Sequence, residues 1–100
     1  MNRPEYPLNI IINEQEITRV IIDQHYKKKH GDLDDMMIVE MVKNLDGLIF
    51  PIEETLGEFQ YFRVEPLYHD DKPYRLILLF CVSDDFLGVV NAFRVPRRKR

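Results

Sequence analysis

The chain has a single cysteine, Cys81, which excludes an intramolecular disulfide and any cysteine-rich zinc site. Cys81 lies inside the apolar run from Leu76 to Val82. A buried, inert thiol is expected there, because a nucleophilic thiol needs an exposed, electropositive setting. Long apolar runs are also lacking: none approaches the roughly 20 residues of a membrane span. The first, Leu8 to Ile12, is too short for the core of a secretion signal. The expectation is a cytoplasmic protein without a membrane partner. Only four glycines are present, and none builds a phosphate-cradling loop. No serine elbow or zinc knuckle occurs. The acidic pairs Asp34-Asp35, Asp70-Asp71 and Asp84-Asp85 are accounted for by capping and turns. No metal and no cofactor is therefore expected.

What is present describes one domain. One hundred residues suffice for one core. A composition of 45% hydrophobic and 31% charged residues is that of a globular chain rather than a disordered one. The net charge of −3 is unevenly spread: Arg94, Arg97, Arg98, Lys99 and Arg100 leave the rest of the chain at −8. A second basic run, Lys27-Lys28-Lys29, lies between His25 and His30. Such a balance argues against broad coating by nucleic acid and permits a local phosphate contact.

The pattern along the chain predicts an α+β domain. Residues 1–7 read as a tail or an edge segment, 8–95 as the domain and 96–100 as a basic tail. Leu8–Ile12 and Ile17–Ile22 read as two strands of an N-terminal β-hairpin around a four-residue loop. That loop has no glycine, so a two-residue primed turn is not signalled. Residues 23–31 are a polar, basic loop or short helix. One main helix is expected over about 33–45, capped by Asp32, with Ile38, Met41, Val42 and Leu45 at i, i+3, i+4, i+7 and Gly47 as its C′ residue. Leu48–Ile52 then reads as a short edge strand and 53–57 as a loop. Strands over 58–67, 74–82 and 86–95 complete an antiparallel meander of three to four strands with the helix packed on one face. The strand from Tyr74 to Val82 is apolar on both faces except at Arg75, which predicts a central strand covered on both sides.

This order resembles one broad group. The stretches Val20–His25, Asp32–Leu45, Tyr74–Leu79 and Gly88–Arg94 are similar in arrangement to the small RelE- or BrnT-type toxins of bacterial toxin–antitoxin pairs, within the barnase–EndoU–colicin–RelE class of ribonucleases. The resemblance covers about residues 17–95 and implies a metal-independent endoribonuclease with RNA as substrate and a cognate antitoxin as partner. Attack of a 2′-hydroxyl on the adjacent phosphate needs a base or orienting group, cations for the developing charge and an acid for the leaving oxygen.

Under that reading His25, Arg75 and Arg94 are the catalytic candidates, and His30, Lys28 and Arg63 the phosphate contacts. Each has a plainer alternative. The two histidines and the lysines fit a solvated loop. Arg75 fits a core-edge residue with its head at the surface. Arg63 fits a cross-strand ion pair. Asn91 and Arg94 fall on opposite faces of the last strand unless a bulge intervenes, for which Gly88 is a candidate. The second functional expectation is a non-enzymatic interaction protein: an antitoxin, an immunity protein or a phage-encoded inhibitor. Its acidic body suits a basic protein partner. An exposed first strand would also allow a homodimer.

Overall fold

The computed structural model describes residues 3–28 and 31–95. It is a mixed α+β domain with one α-helix and one six-stranded sheet. Strands β1 (Glu5–Ile12) and β2 (Gln15–Ile22) form a hairpin, a 3-10 helix covers Gln24–Lys28, and α1 spans Asp35–Lys43. Four strands follow: β3 (Glu54–Leu56), β4 (Phe59–His69), β5 (Lys72–Cys81) and β6 (Phe86–Arg94). The sheet order is β1-β2-β6-β5-β4-β3. Every pairing is antiparallel except β2 with β6, which is parallel. The sheet holds six strands, more than the meander of three to four, because the hairpin joins the four-stranded meander through that parallel seam.

The sheet is curled around the helix. Helix α1 contacts both β1 and β4, which stand four strand spacings apart in the order. On a flat sheet that separation would be about 19 Å, whereas a helix with its side chains is only about 10–12 Å across. Both strands reach one helix only if the sheet bends. Inside the curl lie Ile10, Ile12, Val20 and Ile22 of the hairpin, Leu76, Leu78 and Phe80 of β5, and Ile38, Met41 and Val42 of α1, all buried. Phe50, Phe62 and Phe80 stack in series, with ring centroids 5.6 and 4.8 Å apart.

Several boundaries differ from the sequence reading for identifiable reasons. The helix is shorter than 33–45, and its N-cap is Asp34 rather than Asp32: the Asp34 carboxylate accepts the Met37 N–H at 2.9 Å. Gly47 is not the C′ residue, since the cap is Asn44. Its backbone has φ +84° and its N–H donates to the Ile11 carbonyl at 2.7 Å. The first hairpin turn is a two-residue one after all. Asn13 and Glu14 have φ of 53° and 62°, the left-handed pair of a type I′ turn. Glycine is dispensable there because Asn13 is pinned from outside. Its amide exchanges hydrogen bonds with the Phe50 backbone, at 2.9 and 2.6 Å, and its N–H reaches the Leu48 carbonyl at 3.0 Å. Asp70 and Asp71, with φ of 52° and 64°, make the same turn between β4 and β5. Residues 48–52 are not a strand, and β3 falls instead on the stretch read as a loop. Strand β1 begins at Glu5, inside the segment read as a tail or an edge segment, and forms one edge of the sheet.

Candidate functional site

Strand alternation sorts the side chains of β5. Tyr74, Leu76, Leu78 and Phe80 point into the curl. Arg75, Ile77 and Leu79 point to the outer face, where they are only partly buried. Helix α1 packs on the inner face, and on the outer face Arg3 and Asp23, from outside the strands, border the side chains of the sheet. The expectation of a strand covered on both sides holds fully on the inner face only, since Arg75, Ile77 and Leu79 on the outer one are half-buried.

The register makes that face continuous. Glu5 pairs with Ile21, Ile21 with Gly88, Gly88 with Leu79, Leu79 with Tyr61, and Tyr61 with Glu54. One lateral row therefore crosses all six strands, apolar in the middle and ending in a glutamate at each edge. A cavity of about 530 Å³ opens on this row, lined by Ile21, Phe59, Tyr61, Leu79, Phe86 and Gly88, with Arg3 and Asp23 at its rim. Gly88 is buried there beside the Leu79 side chain. A side chain there would meet the Leu79 side chain, whose Cγ and Cδ1 lie 2.9 Å from where a Cβ would stand. The bulge in this strand is at Val90 rather than Gly88, since Ile77 pairs with Asn91 and Leu78 with Val89.

The rim is acidic, and its cations are already engaged. Arg19 meets three carboxylates, with Glu5 at 3.2 Å, Asp84 at 2.9 Å and Asp85 at 3.5 Å. The hydrogen bond to Glu5 is the main cause that raises its pKa. Asp85 is held below its ordinary value, chiefly by the Thr18 hydroxyl that donates to it at 2.6 Å. Arg3 pairs with Asp23 at 3.5 Å. Glu58 lies beside Phe59 and accepts from Ser83. Cys81 is buried as expected, at 7% exposure. It stands outside the main core cluster, next to Ser83 and Glu58.

The candidates for RNA chemistry are distributed as follows. Arg75 is bound by Glu65 through two hydrogen bonds of 2.6 and 2.5 Å, and its guanidinium lies 5.3 Å from the Phe93 ring centre. Opposite Arg75 the register of β4 slips between Val64 and Leu67, which brings Glu65 within reach. Arg63 pairs with Glu53 at 3.2 Å. The hydrogen bond from Arg75, assisted by the charge of Arg63, holds the Glu65 carboxyl below its ordinary value. Arg63 and Arg75 thus gather around a carboxylate. Arg94 pairs with Tyr74, so alternation sets it on the opposite face from Arg75 and Phe93. His25 is exposed in the 3-10 helix, where its N–H donates to Asp23 at 2.8 Å, and Lys28 is exposed at the end of the same helix. His30 lies outside the described residues, as do Lys29 and the basic tail 96–100.

Sequence reasoning passed over a further cluster. Asp35, read as a first-turn acid, ties three elements together. Its carboxylate, 12% exposed, accepts from the Tyr6 hydroxyl at 2.6 Å, from the Tyr26 hydroxyl and from the Gln24 amide at 3.1 Å, with Lys27 at 3.9 Å. Burial alone would raise its pKa, but the hydrogen bonds from Tyr26, Tyr6 and Gln24 outweigh this and lower it. Burial, and then the bond to Asp35, push the Tyr26 hydroxyl up. This is a clamp between β1, the 3-10 helix and α1.

No family model, no curated protein and no solved structure matches this chain. Among the described residues no group of three His, Cys, Asp or Glu is placed to hold a metal ion, and no helix is long and apolar enough to cross a membrane.

Proposed function

We propose that this domain is a non-enzymatic interaction protein that binds a protein partner through the outer face of its sheet. The observation that carries this reading is the partly exposed apolar row Ile21–Gly88–Leu79–Tyr61, flanked by carboxylates. An exposed apolar patch rimmed by polar groups is the usual mark of a docking surface. The acidic surround favours a basic partner and disfavours a phosphate backbone. The kinds of protein this suits are an antitoxin, an immunity protein or a phage-encoded inhibitor.

The competing proposal is the RelE/BrnT-like ribonuclease. It needs cations free to meet a phosphate, whereas Arg63 and Arg75 are engaged by Glu53 and Glu65 and Arg94 stands across the sheet. The test compares the full-length protein with its Leu79→Ser and Arg75→Ala variants in cell extract and on RNA. The interaction reading expects capture of one partner in fixed ratio, lost in Leu79→Ser and retained in Arg75→Ala, with RNA left intact. RNA cleavage that disappears in Arg75→Ala would overturn it in favour of the nuclease.

A further inference from the structure

We draw no further inference here: the strongest candidate, the cavity lined by Ile21, Phe59, Tyr61, Leu79 and Phe86 on the outer face of the sheet, belongs to the interaction surface already described, and nothing in the structure shows what covers it.

Discussion

Arg75 holds Glu65 in a two-point grip across a register slip, Nε to Oε1 at 2.6 Å and Nη2 to Oε2 at 2.5 Å. A guanidinium satisfied in this way has little left for a phosphate. Arg75→Ala and Arg94→Ala are therefore each expected to leave RNA retention on filters unchanged at low and at moderate salt. A steep loss of retention with salt, reduced in slope by Arg75→Ala, would mark a phosphate contact and restore Arg75 to the nuclease assignment.

The Asp35 clamp should matter to stability. Removing the Tyr26 hydroxyl leaves part of a largely buried carboxylate without its donor. Tyr26→Phe is expected to cost about 1–3 kcal/mol, the usual penalty for an unmet buried polar group. Tyr6→Phe should cost less, because Tyr6 is only partly buried while Tyr26 is fully so. Urea titrations of the two variants check the order. Equal midpoints for wild type and Tyr26→Phe would show that the clamp contributes nothing.

The same carboxylate gives a pH dependence of fixed sign. The folded-state pKa of Asp35 is lowered, so its contribution is fully present above the unfolded carboxyl value of about 3.9. It is lost as pH falls below that value through the folded one. Glu65 and Asp85 are also lowered, so the informative quantity is a difference. The stability gap between wild type and Asp35→Asn should be constant near neutrality and shrink below about pH 4. A gap that widens on acidification would reverse the assigned direction.

Val42 tests the core. It is fully buried on the stripe Ile38, Met41, Val42 and Leu45. Val42→Asp would place an unpaired carboxylate there, at a cost on the order of the entire stability of a small domain. The variant should lack a cooperative melting transition. A soluble protein with an unchanged melting temperature would refute the packing.

Much of this architecture was legible from period and punctuation. The helical stripe Ile38, Met41 and Val42 and the long strands around Phe62, Leu78 and Val89 follow from apolar spacing and bracketing turns. The type I′ turn at Asn13-Glu14 was not legible, because its partner Phe50 is distant in sequence. The parallel pairing of β2 with β6 was hidden for the same reason: no local signal links Ile21 to Gly88. Charge counting suggested cationic candidates one residue at a time, and only the fold reveals Glu65 against Arg75 and Glu53 against Arg63. The outer face did leave a trace. The apolar outer positions Ile77 and Leu79 were read as evidence of a second covering layer, and in the fold they are half-buried on the face away from α1.

Gly88 offers the most discriminating substitution. Two effects of Gly88→Ala oppose each other. Replacing glycine in a strand favours folding by about 0.5–1 kcal/mol, because the unfolded chain loses freedom. Against this, the new Cβ would stand 2.9 Å from Cγ and Cδ1 of Leu79, and Cγ is too near the backbone for rotation of the side-chain tip alone to relieve it. Pushing Leu79 off its rotamer costs about 0.5–1.5 kcal/mol before any shift of the strand is counted. Gly88→Ala should thus be neutral to destabilising in the wild-type background. In a Leu79→Ala background the obstructing atoms are gone, the clash term vanishes and the entropic gain remains, so the same substitution should become stabilising. Urea midpoints of the four proteins in this cycle give the coupling directly. A change of sign between backgrounds supports the close approach of Leu79 to Gly88 in the cavity lining. Identical effects of Gly88→Ala with and without the Leu79 side chain would show that the two do not touch and would overturn this packing of the outer face.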